Sequence, residues 1–437
     1  MSDCGWPAAV NATTLSQHPE LNVRNPDTAA AYWAMPIPVQ DGLRITLSGQ
    51  YPESRYMSLS VYDESGTPFT VNGVSSTLTD YQITPDAASV NPWQQAAVSD
   101  EASYTVTLQP DVTPNQVNTL PLVPAGSTAA TTVVIFLRLY VPADLGQAPL
   151  PTITVALNGT SRRLPTCPSE TQANVPATYC AIPWVAREAP FCQSNGSRPT
   201  PTPVAPGNTG RIVPFSNPPV GQGGTPDKDT GYLSAMAIPP DNDDVLVIYA
   251  KAPTTPGGAY PTPWPAPGTD LRYWSLCVDQ ASFPIPVVSN ILPDGSVDYG
   301  CRYDDQVKLD QDGYYTFVVG REDQRTAVEV IPNATFLPLS ASNPIQMYKL
   351  NLRNMLANAA FAQAIQNVPS DGRPTSAAAV MGAYYPRMGF CSPATLAASG
   401  PNACLSAPAS GDESVTSANS GFFGTIGGFF RRLVGSV

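Results

Sequence analysis

The feature that most constrains this chain is an internal repeat of sequence landmarks. The segment RYMSL at 55–59 returns as RYWSL at 272–276, and each is followed by Asp-Tyr, at 80–81 and at 298–299. Alternating segments come next, at 103–107 and 314–318, and both halves close on an apolar segment with one arginine, Arg138 or Arg353. Landmarks in one order at similar separations predict two copies of one domain.

Length and composition narrow the fold class. A chain of 437 residues is too long for one core and suits two domains of about 150–200 residues. Its 49 prolines disfavour helix interiors and central strands. We therefore expect a mainly β protein with two tandem β-sandwich or jelly-roll-like domains related by internal duplication.

Hydrophobic periodicity suggests the domain boundaries. Alternating segments at 43–47, 57–62 and 152–157 predict half-buried strands, and the apolar run at 132–141 predicts a central strand. Residues 356–364, with no Gly or Pro before Pro369, predict one short helix. The expected divisions are an N-terminal arm (1–24), a first sandwich (25–158), a Pro-rich, Cys-containing connector (159–226), a second sandwich (227–404), a flexible linker (405–420) and an amphipathic C-terminal helix (421–437).

The cysteine content indicates the compartment. Eight cysteines without a C-x-x-C pair are typical of disulfides in an oxidising compartment. We expect an extracellular or cell-surface protein whose signal peptide has been removed, with Met1 added for expression. Proximity in the sequence pairs Cys277 with Cys301 and Cys391 with Cys404, which leaves Cys4 to join one of Cys167, Cys180 and Cys192.

Charge and histidine content exclude several classes of function. A net charge of -12 without a basic cluster before the last residues argues against nucleic acid as a partner. One histidine, His18, and no G-x-S-x-G elbow disfavour triad hydrolases and transition-metal sites. The acidic stretch 304–313 lacks the spaced glutamate of a calcium loop, so we expect no cofactor, with calcium as the alternative.

The two strand arginines need partners. A buried arginine that lacks one costs several kcal/mol, so Arg138 and Arg353 are expected at equivalent positions, each in contact with a carboxylate or backbone carbonyls of its own repeat. A carboxylate-based glycosidase would use the same acidic side chains as a facing pair. The strand-associated candidates are Asp63, Asp80, Asp279 and Asp298.

Two further groups of residues are candidates for binding. Trp93, Tyr260 and Trp264 lie in proline-rich loops, where exposed rings stack on sugars or else plug the ends of a sandwich. In the tail, apolar residues recur at helical spacing, while Gly421, Gly424 and Gly428 weaken an isolated helix. This association helix therefore needs a surface, which is a neighbouring subunit, a membrane or its own domain; its apolar residues are Phe422, Phe423, Ile426, Phe429, Phe430 and Leu433.

The repeated landmarks resemble those of an uncharacterised family of secreted bacterial proteins, frequent in actinobacteria. That family shows an Arg-Tyr-x-Ser strand, a later Asp-Tyr and a closing Leu-Arg-Leu-Tyr-x-Pro strand, which 137–142 matches. Residues 336–339 (FLPL) are similar to its Asn-Trp-Leu-Pro element, without the Trp. The resemblance covers both domains but not the tail, and it implies tandem β-sandwiches of unknown function.

Three functional hypotheses follow from the sequence. The leading one is a secreted or cell-surface structural protein that self-associates through its C-terminal helix, such as a filament or surface-assembly subunit. The alternatives are a tandem carbohydrate-binding protein and a carboxylate-based glycoside-processing enzyme. Particle size and shape distinguish them, since filaments favour the first hypothesis and monomers the other two.

Overall fold

The chain folds as a mainly β protein. The structure is a computed structural model that describes residues 3–96, 102–127, 131–144, 148–168, 177–192, 204, 207–219 and 226–405. In each half, two sheets pack face to face around one apolar core. The predicted mainly β fold class is therefore confirmed.

The first half has two five-stranded sheets, in the orders β1-β2-β10-β4-β7 and β12-β11-β3-β8-β9, and β5 and β6 form a small hairpin. The strands are β1 (Ala8–Val10), β2 (Ala30–Pro38), β3 (Arg44–Gln50), β4 (Ser54–Tyr62), β5 (Thr70–Val71), β6 (Val74–Ser75), β7 (Thr77–Thr79), β8 (Ser103–Gln109), β9 (Thr119–Pro121), β10 (Thr132–Pro142), β11 (Thr152–Leu157) and β12 (Thr160–Leu164).

The second half has a five-stranded sheet, β13-β14-β22-β16-β19, and a four-stranded sheet, β21-β20-β15-β23, with a hairpin of β17 and β18. The strands are β13 (Arg211–Ser216), β14 (Thr230–Ile238), β15 (Val245–Lys251), β16 (Leu271–Gln280), β17 (Ser289–Ile291), β18 (Val297–Tyr299), β19 (Cys301–Tyr303), β20 (Tyr314–Gly320), β21 (Ala334–Pro338), β22 (Tyr348–Ala357) and β23 (Arg387–Cys391).

The two halves share one strand order. The run β2-β10-β4-β7 corresponds to β14-β22-β16-β19, and β11-β3-β8-β9 corresponds to β23-β15-β20-β21. In both halves one pair is parallel, β8 with β9 and β20 with β21. This topology agrees with the sequence repeat, and a duplication remains our interpretation of that agreement.

The central strands β4 and β16 are buried on both faces. On β4, Met57, Leu59 and Val61 enter the core of the first sandwich, as their alternation predicts. The intervening Ser58 and Ser60 are also buried, and so are the residues of β16 up to Asp279. A strand that is covered on both faces needs a second layer, and each half supplies that layer to the other.

The sandwiches exceed the predicted domain boundaries. Trp6, in the expected arm, is fully buried in the first core, and its Nε1 donates to the Pro151 carbonyl at 2.8 Å. Strand β12 lies in the expected connector but pairs with β11, while β13 pairs with β14. The first sandwich therefore includes residues of both the arm and the connector.

The helix predicted at 356–364 is wrong. Strand β22 continues through Ala357, because Leu271 of β16 and Thr230 of β14 pair with its end, and sheet pairing prevails over the helical spacing. Two helices lie nearer the end of the second half, each with Pro at its first position. The helices are α1 (Ala12–Gln17), α2 (Pro183–Glu188), α3 (Arg325–Glu329), α4 (Pro374–Met381) and α5 (Pro393–Ser399).

All eight cysteines form disulfides, as predicted. The sequence had left the partner of Cys4 open among three residues, and the structure pairs it with Cys167. The four bonds are Cys4–Cys167, Cys180–Cys192, Cys277–Cys301 and Cys391–Cys404.

Within the described ranges, no helix has the length and apolar character needed to cross a membrane. The linker predicted at 405–420, apart from Leu405, and the helix predicted at 421–437 lie outside the described residues.

Candidate functional site: the cavity between the two halves

The two sandwiches face each other through equivalent sheets. The outer face of β2, β10 and β4 lies against the outer face of β14, β22 and β16, and a buried cluster of tyrosines joins them. The rings of Tyr140 and Tyr273, one from each half, lie 4.8 Å apart. Equivalent strands of the two halves therefore build the interface.

Reciprocal ion pairs cross this interface. Arg55 at the start of β4 pairs with Asp304 at 2.6 Å, and Arg272 at the start of β16 pairs with Asp80 at 2.5 Å. Asp80 and Asp304 each begin a 3-10 turn directly after β7 or β19. Each half therefore provides the carboxylate for the other half's arginine, with approximate two-fold symmetry.

A second reciprocal set involves the arginines singled out in the sequence. Arg138 faces the Asp227 carboxylate at 3.4 Å, and Arg353 faces Asp27 at 3.7 Å. Arg138 lies opposite Tyr32 and Ser58 in its sheet, as Arg353 lies opposite Tyr232 and Ser275. The predicted equivalence and acidic contacts are confirmed.

The predicted partners within each repeat are wrong. The carboxylates come from the opposite half, because the face of the sheet that carries each arginine is covered by the other sandwich. The sequence match of Asp298 with Asp80 is not a structural match. Asp298 lies on the β17–β18 hairpin and pairs with Arg302 at 2.8 Å and with Arg325. Asp304 is the structural counterpart of Asp80.

Burial changes the acidity of the interface groups. Burial, and then the neighbouring Asp227 carboxylate, raises the pKa of Asp229 to about 6. Burial raises the pKa of Asp279 to about 7, although Arg353 and Lys349 lower it. Burial also lowers the pKa of Lys349, which lies opposite Asp279 in the sheet. Desolvation is therefore the dominant effect at this interface.

A cavity of about 580 Å³ lies between the two halves. The first half contributes β1, β2 and β10 to its wall, together with helix α2 of the connector, and the second half contributes β14 and β22. Residues from segments 21–26, 217–219 and 365–370 and from neighbouring loops make up the rest of the described wall. Small-molecule sites often lie at domain interfaces and have this size.

The two sides of the cavity differ in chemistry. The first-half side is mostly apolar, and α2 contributes Trp184 and Val185 to it. The second-half side carries mainly polar and charged groups from β14 and β22. These groups are Thr230, Tyr232, Ser234, Lys349, Asn351 and Arg353.

Three buried polar groups in the wall lack a hydrogen-bond partner among the described residues. They are the Asn351 Nδ2 amide, the Thr230 hydroxyl and the Arg138 Nε, and their residues are 2%, 8% and 3% exposed. All three can donate a hydrogen bond. The residues that line the cavity therefore include buried donors that no described residue satisfies.

The predicted stacking residues lie elsewhere. Trp93 is fully buried and donates from Nε1 to the Arg55 carbonyl at 3.1 Å, so its ring packs the interior and offers no face to a ligand. Trp264 is half-buried with the Arg272 guanidinium 5.0 Å from its ring. Tyr260 is 61% exposed. None of the three lines the described part of the cavity.

The acidic clusters have structural partners. Asp304 and Asp305 both bind Arg55, and Asp310 accepts from the backbone N–H of Tyr314 in a turn. Asp27, Cys277 and Cys301 also lie close together, but the two sulfurs are bonded to each other and so offer no thiolate. These groups serve the fold.

The cavity residues escaped the sequence reasoning, although a signal was present. Lys349, Asn351 and Arg353 alternate with the buried Leu350 and Leu352, and alternation places all three on one face of β22. Polar residues at alternate positions on the outer face of a strand are equally typical of a solvent-exposed face, so this signal identifies the face but not its cover.

Comparison with known proteins adds no functional information. No protein-family model matches the chain, and no curated protein matches it. An uncharacterised Burkholderia cenocepacia protein of known structure is 13% identical, over 86% of this chain and 79% of its own, with a TM-score of 0.47. The C-terminal domain of the Streptococcus agalactiae AgI/II polypeptide BspA is 8% identical, over 77% and 87%, with a TM-score of 0.15. The resemblance to secreted bacterial proteins therefore stays a prediction.

Proposed function

We propose that this chain is an extracytoplasmic binding protein that holds a small molecule in the cavity between its two sandwiches. Four disulfides support an oxidising compartment. The observation that carries the proposal is the set of unpartnered donors in the cavity wall, above all the Asn351 amide.

The energetics of these donors favour an occupant. A buried donor without a partner costs about 1–3 kcal/mol, and three of them line one cavity. A ligand that presents acceptor atoms would satisfy them. The rigid interface around the cavity, with its reciprocal ion pairs, would hold these donors in place before binding.

Binding is favoured over catalysis by the chemistry of the wall. Its described residues include neither a carboxylate nor a histidine, so a carboxylate pair of the kind that hydrolyses glycosides is not supported at this site. Self-association through 421–437 remains a separate proposal, which rests on the sequence pattern of that segment.

Blocking the cavity tests the proposed function. Ser234 is half-buried in the polar wall, so Ser234→Trp should fill the space while β14 keeps its pairing. The matched control is Ser48→Trp on the exposed face of β3. Native mass spectrometry would be run against a panel of neutral oligosaccharides, anionic amphiphiles and organic cations.

We expect at least one class to bind one-to-one to the wild type and to Ser48→Trp but not to Ser234→Trp. If no class binds, or if Ser234→Trp binds as well as the wild type, the cavity holds only water and the proposed function is wrong.

A further inference from the structure

We infer that the ligand of this cavity is an anionic amphiphile, whose negative head lies at Lys349 and Asn351 and whose apolar body lies against the first half. This inference rests on the proposed function and narrows it to one chemical class.

The charge of the wall favours an anionic head group. The chain has a net charge of -12, yet the described lining contains four basic residues and no acidic one. Three of these bases form ion pairs with carboxylates outside the described lining, Arg24 with Glu188, Arg138 with Asp227 and Arg353 with Asp27. The fourth is Lys349.

Lys349 is the base without a carboxylate within ion-pair distance, although the Asp279 carboxylate, opposite it in the sheet, interacts with it electrostatically. Among the described residues it forms no ion pair within 4 Å, and its Nζ has one long contact, 3.4 Å to the Asn25 Oδ1. An ammonium has three donors, so at least two stay available. An anion at this point would satisfy them with charge-assisted hydrogen bonds, which are stronger than neutral ones.

The neighbouring Asn351 fixes where the head would lie. Lys349 and Asn351 are two residues apart on the same face of β22, about 7 Å along the strand. Ser234 lies directly opposite Asn351 on β14, so the three side chains form one polar patch. A carboxylate or sulfate placed between Lys349 and Asn351 accepts from both.

The opposite wall determines the rest of the molecule. This wall is mostly apolar. The hydroxyl groups of a sugar would find few hydrogen-bond partners there, and a small inorganic anion would leave the apolar surface uncovered. Apolar surface removed from water contributes roughly 25 cal/mol per Å². The largest apolar side chains of this wall are Leu21, Phe136, Ile182, Trp184, Val185 and Phe191.

Probes with one apolar body and different heads test the inference. Calorimetric titrations would compare decanoate, decyl sulfate, decan-1-ol and decyltrimethylammonium, each below its micelle concentration, and acetate as a head without a body. We expect decanoate and decyl sulfate to bind one-to-one, decan-1-ol to bind about tenfold or more weakly, and the cation and acetate not to bind.

Substitution of the lysine separates charge from shape. Lys349→Met keeps the length of the side chain and removes its charge, so it should weaken decanoate binding about tenfold or more and leave decan-1-ol unchanged. Lys308→Met, at an exposed site away from the cavity, should bind both like the wild type. If Lys349→Met fails to fold, Lys349→Gln is titrated in its place.

The outcomes distinguish this inference from the proposed function. Equal affinity for decanoate and decan-1-ol, both abolished by Ser234→Trp, overturns the anionic head and leaves the binding function intact. Oligosaccharide binding with no decanoate binding overturns the amphiphile and again leaves the function. Tight decanoate binding that survives Lys349→Met overturns the assignment of the head to Lys349.

Discussion

The Arg272 guanidinium lies 2.5 Å from an Asp80 carboxylate oxygen, and both side chains are completely buried although they come from opposite halves of the chain. Asp80 also accepts from the backbone N–H groups of Met57 and Tyr81, at 2.7 and 2.6 Å. The carboxylate is therefore held by its own half and neutralised by the other, which couples the stability of the two sandwiches.

Arg272→Met should destabilise the whole protein by about 3–5 kcal/mol, because it leaves the Asp80 carboxylate buried without its cation. Burial already raises the pKa of Asp80, and the loss of Arg272 raises it further. The variant should therefore lose more stability at pH 8 than at pH 5, as measured by guanidinium denaturation. Arg162→Met, at an exposed pair with Asp3, should change stability by less than about 1 kcal/mol.

A double-mutant cycle should detect the reciprocal contact. Arg55→Met combined with Asp304→Asn should show a coupling free energy of about 1–3 kcal/mol, since the two side chains are in direct contact. Arg55→Met combined with Asp80→Asn, the pair that a contact within one repeat would require, should be additive within about 0.5 kcal/mol. The reverse result would place the ion pairs within each half.

Asp279→Asn should flatten the pH dependence of stability. The folded-state pKa of Asp279 is raised to about 7, above the unfolded value of about 3.9. The folded state therefore binds more protons between these two values, and stability falls as the pH rises through this window. The variant should gain stability relative to the wild type at pH 8, by at most about 4 kcal/mol, and not at pH 4.

A control for this titration has the opposite sign. Hydrogen bonds from Ser296 lower the pKa of the exposed Asp294, so this carboxylate contributes stability above the unfolded pKa of about 3.9. Asp294→Asn should therefore lose stability equally at pH 6 and pH 8, and lose less as the pH falls through the unfolded pKa. Denaturation curves at pH 4, 6 and 8 separate the two cases. An Asp279→Asn profile parallel to the wild type would mean that Asp279 ionises in the folded protein without penalty.

The long disulfide should contribute more to stability than the short one. By chain entropy, the Cys4–Cys167 loop, with a sequence separation of 163, should stabilise by about 5 kcal/mol. The Cys391–Cys404 loop, with a separation of 13, should contribute about 3 kcal/mol. Paired Cys→Ala variants, compared by denaturation under oxidising conditions, check the order, and equal losses would contradict it.

The tail is predicted to control association. Removal of 406–437 should leave the described sandwiches folded and should convert any oligomer of the full chain to a monomer, as measured by light scattering. Phe429→Glu in the full chain should act in the same way if the apolar stripe makes the contact. An oligomer that persists after both changes would show that the tail is not the coupling element.

Local sequence patterns predicted the strands well. The alternation at 43–47 and 57–62 and the apolar run at 132–141 correspond to β3, β4 and β10, because strand formation follows a periodicity that is present in the segment itself. The helical spacing at 356–364 gave a wrong prediction. The end of β22 pairs with strands on both sides, so it stays extended without a strong local preference for a strand. Tertiary pairing was the competing effect there.

The cavity could not be predicted from these patterns. An arginine in each apolar strand, Arg138 and Arg353, predicted buried charges that need partners. Spacing along the chain does not show which surfaces meet, and the partner carboxylates belong to the opposite sandwich. Asp298 repeats the Asp-Tyr pair of the first half in sequence, but Asp304 takes the structural role of Asp80. The alternation of Lys349, Asn351 and Arg353 indicated a polar outer face of β22, but not that the other half covers it.

The exchange of carboxylates between the halves has a consequence for how this protein can change. A mutation that neutralises Arg55 requires a compensating mutation of Asp304, more than two hundred residues away in the sequence. A mutation of Arg272 likewise requires one of Asp80. If either sandwich were lost or transferred alone to another protein, the remaining sandwich would keep an arginine and an aspartate without their partners. The two halves can therefore evolve only as one unit.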